Sequence, residues 1–352
     1  MIVAATLTHR PSVRRAFTLV ELLVALTLCL VIMSILSTAF VIGTQAFSEF
    51  KSGGDLQEEL RTASIVIKRD LAARHFNTPT DPLIKAVGGP YLHQQKINLV
   101  SWVQPEIGYV RFDSSIPPLE ADDGLGLVSS YAATHWMQFT VNLDGNRLED
   151  LFVTNIGGNA AISNLSPSPF RDPANQVFYS DWADVRYFLT EMPTTTLEGG
   201  TKLYRLHRQQ RLAAPPGAVG PLPVTTNPEI ATDATGVMLR PNELASKLPK
   251  LLAFPGVQPA TLRDPEGRDI LLTNVVAFEI KAYWLPPPVP PLTGPLTGGL
   301  QPTADFPYGF VGRIFDTTNP LDRIRILGLQ VRIRVYDTNT GLTRQVTIIQ
   351  DL

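Results

Sequence analysis

The sequence predicts an α+β fold: a long N-terminal helix, membrane-anchoring in one half and amphipathic in the next, packed on an antiparallel β-sheet body with Pro-rich loop insertions. Three observations predict it. A long apolar run opens the chain, a stripe of apolar residues at helical spacing follows, and alternating runs separated by turn residues fill the remainder.

The apolar run comes first. In "RRAFTLVELLVALTLCLVIMSILSTAFVIG" and on to Ser48, Glu21 is the one acid or base from Phe17 onward, Cys29 aside. The run exceeds the roughly 20 apolar residues that span a bilayer as a helix. It is longer than the ~7–15 residue core of a secretory signal, and no small-x-small cleavage site follows it. Arg10, Arg14 and Arg15 precede it, which places the N-terminus in the cytoplasm and sends the remainder across. Glu21 is the anomaly. A carboxylate inside a membrane span costs about 2.5–3.5 kcal/mol, so by default it has a function and a partner. The alternative is a carboxylate near enough to the headgroups to snorkel or be protonated.

The next element is "KSGGDLQEELRTASIVIKRDLAARHF". Gly53-Gly54 predicts a break or kink, and Asp55 with Glu58 makes a start resembling a capping box. Leu56, Leu60, Ala63, Ile67 and Leu71 then recur every three or four residues, one face of a helix. That face predicts packing on a sheet, with the helix ending near Phe76 before "NTPTDP".

Strands follow. "HWMQFTVNLDGNRLEDLFVT" alternates on both sides of Asp144-Gly145-Asn146, a hairpin signal. "DWADVRYFLT" and "TKLYRLHRQQ" form a second pair around "EMPTTTLEGG". "DILLTNVVAFEIKAYW" and a final hairpin turning at "YDTNTG" close the set, with Val331, Ile333 and Val335 facing opposite to Arg332 and Arg334. The segments at 213–228 and 285–302 are rich in Pro and Gly and cannot form central strands. They read as surface insertions or as partner-binding loops.

Composition narrows the function. Net charge is −2, without the clustered basic face of a nucleic-acid binder, so no nucleic acid is expected. The single cysteine, Cys29, lies in the membrane run, so no intrachain disulfide can brace the body. Its stability must come from a core that 44% hydrophobic residues can supply. No GxSxG elbow, HExxH helix or phosphate loop is present, and no His has a second His at ligand spacing, so the chain is not expected to be an enzyme. No cofactor is expected. Two acidic clusters are calcium candidates by their closely spaced oxygens: Glu120, Asp122 and Asp123, and Asp264, Glu266 and Asp269.

The stretch "AFTLVELLVALTLCLVIMSIL" resembles the N-terminal methylation motif of type IV prepilins and type II secretion pseudopilins. The resemblance implies cleavage by prepilin peptidase between Ala16 and Phe17, N-methylation of Phe17, and Glu21 as fifth residue of the mature chain. Ala16 departs from the family's usual Gly. The segments from "VRYFLT" onward are similar to the body of J-type pseudopilins and minor pilins. The implied organisation is a leader at 1–16, a transmembrane and assembly helix at 17–47, its amphipathic continuation at 48–76, and a periplasmic body at 77–352. The resemblance further implies a low-copy structural subunit near the tip of a pseudopilus or pilus. Its partners would be other pilins through the N-terminal helix, the peptidase and an inner-membrane assembly platform. It would sit single-pass in the inner membrane, reaching the cell surface after assembly. There Glu21 would neutralise the Phe17 amine of a neighbouring subunit. The alternatives are a membrane-tethered periplasmic binding or adhesion protein, an enzyme displayed on a membrane stalk, and a sensor on an orphan anchor.

Overall fold

The computed structural model describes residues 18–76, 107–113, 120–122, 128–130, 134–143, 147–157, 159–167, 170, 176–196, 202–248, 257–258, 268–285, 314–318, 325–338 and 340–351. The chain divides into two units, Met1–Gly54 and Asp55–Leu352. Helix α1, Leu19–Ala72, runs through both without interruption. The expected break at Gly53-Gly54 is therefore absent. Glycine keeps its N–H and costs only about 1 kcal/mol against Ala in a helix interior, too little to stop a helix with this much apolar sequence on either side. The expected start at Asp55 is absent for the same reason, and Glu58 instead lies 4.0 Å from Arg61 on the exposed surface.

Within the second unit, α1 places Leu60, Ala63, Ile67 and Leu71 in the core, each at most 6% exposed, and Leu56 packs against them. The helix stops at Ala72, short of Phe76, because Arg74 leaves it for the sheet and accepts the Asn142 N–H at 2.7 Å. Fully burying an apolar side chain of this size stabilises by about 1.5–3 kcal/mol.

The strands are β1 (Val110–Asp113), β2 (Glu120–Asp122), β3 (Val128–Ser130), β4 (Met137–Asn142), β5 (Phe152–Asn155), β6 (Val177–Ser180), β7 (Trp182–Thr196), β8 (Lys202–Leu212), β9 (Val257–Gln258), β10 (Arg268–Leu285), β11 (Ile314–Asp316), β12 (Arg325–Tyr336) and β13 (Thr343–Asp351). The main sheet has the order β11-β1-β4-β7-β8-β10-β12-β13, antiparallel throughout, with β9 added in parallel to β7. The expected pairs β7–β8 and β12–β13 form. In the last turn Asp337 donates its N–H to Leu342 at 2.8 Å, and Gly341 supplies a φ of 70°.

The expected hairpin around Asp144-Gly145-Asn146 does not form. That turn lies outside the described residues, but β4 pairs with β1 and β7, while β5 pairs with β6. Burial explains the choice. Met137, Phe139 and Val141 are each at most 1% exposed beside Tyr187 and Val185, a deeper site than a local hairpin offers. Strand β10 changes neighbours midway. Its first part pairs with β8, its second with β12, and the register shifts on either side of Val275 adjoin Asn274 at φ 54°. Asn tolerates that conformation better than most residues, so a bulge here bends the strand. Thr134 bridges Phe278 where β8 has ended, which curls the sheet.

The face of the sheet away from α1 is also covered. Val331, Ile333 and Val335 point into the core as expected, but Arg334 on the opposite face is only 2% exposed. Glu279 in the neighbouring strand lies 3.1 Å from Arg332 and 3.4 Å from Lys281. The Pro-rich stretch at 213–228 is part of the packing, since Ala213, Ala214 and Leu222 are buried and Arg240 donates to Ala218 O at 3.1 Å and Gly220 O at 2.7 Å. Of the 285–302 stretch, only Leu285 falls among the described residues, at the end of β10.

One charge is buried between helix and sheet. Asp70, 3% exposed, accepts from Tyr187 Oη at 2.6 Å and from Arg208 Nε at 2.6 Å. Burial first, and the carboxylate second, hold the Tyr187 phenol well above its usual range, so it remains a donor. Beyond the helix end, the His75 ring contacts Thr140 O at 2.8 Å and Leu71 O at 3.1 Å. Two carbonyls favour the imidazolium, yet burial dominates and lowers the pKa below the ordinary value.

Two outcomes follow for the full chain in detergent, measured by denaturant unfolding with the buried Trp136 and Trp182 as reporters. Asp70→Ala should cost about 3–5 kcal/mol, as expected on breaking a buried pair from one side, whereas Glu58→Ala should change stability by less than about 0.5 kcal/mol. A cost below 1 kcal/mol for Asp70→Ala would show that the helix is not pinned there. For His75 the folded pKa is the lower one, so its contribution is complete above about pH 6.5. It is lost as pH falls below that value, at no more than about 1.4 kcal/mol per pH unit. Wild type should weaken between pH 7 and 5 more than His75→Gln does, and parallel profiles would contradict the assignment.

Candidate functional site

The first turn of α1 is built by a local exchange of hydrogen bonds. Thr18 precedes the helix, and its hydroxyl accepts the Glu21 N–H at 3.2 Å. Glu21 Oε2 in return accepts the Thr18 N–H at 2.9 Å and the Thr18 hydroxyl at 3.0 Å. This reciprocal capping box satisfies two helix N-terminal groups at once. Its signal was in the sequence, since "TLVE" is a Thr-x-x-Glu before an apolar run. The sequence reading assigned a cap to Asp55 and missed this one. Ala16 and Phe17 lie outside the described residues.

Beyond that turn, the helix turns its apolar side chains outward. From Leu19 to Phe50 the large hydrophobics are 48–81% exposed, and this helix is long and apolar enough to cross a membrane. Its threonine hydroxyls are satisfied internally. Thr27 donates to Val24 O at 2.9 Å, Thr38 to Ser34 O at 3.0 Å, and Thr44 to Val41 O at 2.9 Å. Internal bonding of this kind is what hydrocarbon demands of any polar group. Cys29 is exposed on the same segment, with a free thiol. Glu21 is thus the single charged side chain among Leu19–Ser48, and it sits at the start.

The calcium candidates are only partly described. Glu120 and Asp122 lie two apart on β2, paired with Ser130 and Val128. Asp269 is exposed on β10 opposite Arg208. Asp123, Asp264 and Glu266 lie outside the described residues. Among the described residues no three His, Cys, Asp or Glu side chains converge as a metal site.

A second polar cluster lies inside the body. Asp184, fully buried, accepts from Tyr109 Oη, from Gln138 Nε2 at 3.0 Å and from Arg186 Nε at 2.8 Å. Burial, then the Asp184 charge, raises the Tyr109 pKa well above its ordinary value. The acid and the phenol are held by one another, by Gln138 and by Arg186, and the cluster reads as a structural network in which Gln138 Oε1 is left without a partner. Sequence reasoning did not anticipate it, because its members come from β4, β7 and the segment before β1.

The capping box carries a test. Thr18→Ala removes one side of it, which typically costs about 1 kcal/mol of helix stability. In detergent micelles, first-turn amides should exchange with deuterium about fivefold faster, and Thr18→Ser should restore the wild-type rate. Unchanged exchange in Thr18→Ala would show that Glu21 does not depend on Thr18.

Residues 11–37 match the family model of the prokaryotic N-terminal methylation motif. No curated protein and no solved structure matches the chain. The N-terminal segment is therefore a methylation motif of the type IV prepilin kind, the mark of a prepilin-peptidase substrate, leading into a helix apolar enough to cross a membrane.

Proposed function

We propose that the chain is a pseudopilin or minor pilin, a low-copy structural subunit at or near the tip of a type II secretion pseudopilus or type IV pilus. The observation that carries this reading is Glu21 in the first turn of an exposed apolar helix, in register with the methylation motif. The body would be periplasmic while the anchor waits in the inner membrane. Extraction by the assembly platform would bring apolar helices together in a filament core. The large body and its Pro-rich insertions suit a subunit used in few copies, and the J-type likeness rests on the order of the sequence segments from "VRYFLT" onward.

The mechanism is electrostatic. Cleavage before Phe17 creates an amine at the edge of hydrocarbon. In a lone subunit, Glu21 is occupied by Thr18. In a filament the neighbour's amine would compete for that carboxylate, and a charge pair outmatches a neutral hydroxyl, since charge-assisted bonds are roughly twice as strong. Pairing is possible only when subunits stack in the correct axial register, so the carboxylate acts as an assembly key rather than a catalyst.

The same capping box favours a second reading. A carboxylate with a partner in its own chain needs no neighbour, and the helix could then serve as the tether of a periplasmic binding or adhesion protein.

Processing is the first test. Mass spectrometry of mature protein from cells with an active peptidase should give N-methyl-Phe17 and no leader. Ala16→Glu should remain uncut. An intact Met1 terminus on the wild-type protein would overturn the proposal.

A further inference from the structure

The two edges of the main sheet differ in kind. At one edge β11 has three residues, and its Asp316 is engaged by Arg111 Nε at 2.7 Å. At the other edge β13 runs nine residues against β12 with no register shift, as long an unbroken ladder as the central β7–β8 pair makes. Its far side is unpaired among the described residues. Natural proteins usually blunt such an edge with Lys, Pro, a bulge or brevity. Strand β13, "TRQVTIIQD", has no Pro or Lys, no bulge, and six uncharged residues in succession from Gln345 to Gln350. Arg344, Gln345, Thr347 and Ile349 are exposed, the last at 54%.

We infer that β13 is an interaction edge that pairs antiparallel with β13 of a second copy of this chain, two-fold about Thr347. The sequence is self-complementary in that register. Val346 faces Ile348 of the other copy twice, Gln345 faces Ile349 twice, Arg344 faces Gln350 twice, and Thr347 faces Thr347. No like charges oppose one another, which an antiparallel pair requires. Ile348 belongs to the hydrophobic core of the body and the partly buried Val346 packs against it, so their cross-strand pairs extend that core across the junction. A register shifted by two residues would lose part of the ladder and set Val346 opposite Gln350. A two-fold contact of this kind closes on itself and cannot propagate. It joins two copies and stops, as suits a subunit that does not polymerise by itself. This inference stands apart from the filament reading, because it rests on the sheet edge and not on the N-terminal motif.

Cysteine cross-linking in membranes tests it on the full-length chain, in a Cys29→Ser background. Facing Cα atoms of an antiparallel pair lie about 4.5–5.5 Å apart, within disulfide reach. The two copies of Thr343 would be about 27 Å apart at ~3.4 Å per residue. Thr347→Cys should give at least tenfold more disulfide-linked dimer than Thr343→Cys under mild oxidant. Adding Asp351→Cys to Thr343→Cys should restore dimer, because those positions face each other. Thr347 and Asp351 are exposed and Thr343 is half-buried, all three outside the hydrophobic core, so folding should persist. Monomer in every variant, equal dimer at 343 and 347, or an adduct of Thr347→Cys with a different protein in place of dimer would each overturn the proposal.

Discussion

A single helix, Leu19–Ala72, must satisfy hydrocarbon along its first part and a protein core along its second, and the rest of the body is arranged around the second. The stripe from Leu60 to Leu71 supplies the area, but apolar contact is tolerant of sliding and rotation. Asp70 is not. Its carboxylate meets both Tyr187 on β7 and Arg208 on β8, adjacent strands whose register sets those two residues opposite each other. Burying a charge costs several kcal/mol unless it is fully engaged. Only one axial and one rotational setting of the helix engages this one. The pair therefore specifies position more than it adds stability.

Two carboxylates of α1, Glu21 and Asp70, answer the same physical problem in different ways. Asp70 finds permanent partners within its own unit. Glu21 finds a local one, Thr18, through an exposed capping box that costs little to open. That difference in permanence is what the proposed function uses: a buried, doubly held acid is structural, whereas an acid held by one neighbouring residue is available to a stronger partner. The internal hydroxyl bonds of Thr27, Thr38 and Thr44 remove competing polar groups from the intervening helix, leaving Glu21 as the charge that lipid or a neighbouring helix must accommodate.

Much of this was legible in the sequence wherever the signal was local. The apolar run, the stripe from Leu56 to Leu71, the β7–β8 pair and the terminal hairpin each rest on contiguous residues with a clear period, and all are present. The hairpin at Asp144-Gly145-Asn146 failed because a local turn signal competed with the non-local burial of Met137 and Phe139 between β1 and β7. Gly53-Gly54 failed as a break because propensity is weak against a long helix. Asp70 was invisible because periodicity counts apolar residues, and a charged residue beside the stripe reads as solvated. The burial of Arg334 was invisible for a related reason: alternation distinguishes two faces but not whether the polar one is covered. At the N-terminus, the Thr-x-x-Glu signal lay inside a motif that drew attention to Glu21 and away from Thr18.

The central claim is that Glu21 serves assembly, and the most direct measurement is co-purification of Glu21→Val protein with its partner pilins from membranes, alongside activity of the system. The account predicts that the variant inserts as well as wild type and is still mostly cleaved, because a costly charge has been removed from lipid. It also predicts that recruitment into the complex falls by two orders of magnitude or more, as follows from about 3–5 kcal/mol for breaking a buried pair. Undiminished complex formation and system activity would contradict it, and the helix would then be a tether with a capped end.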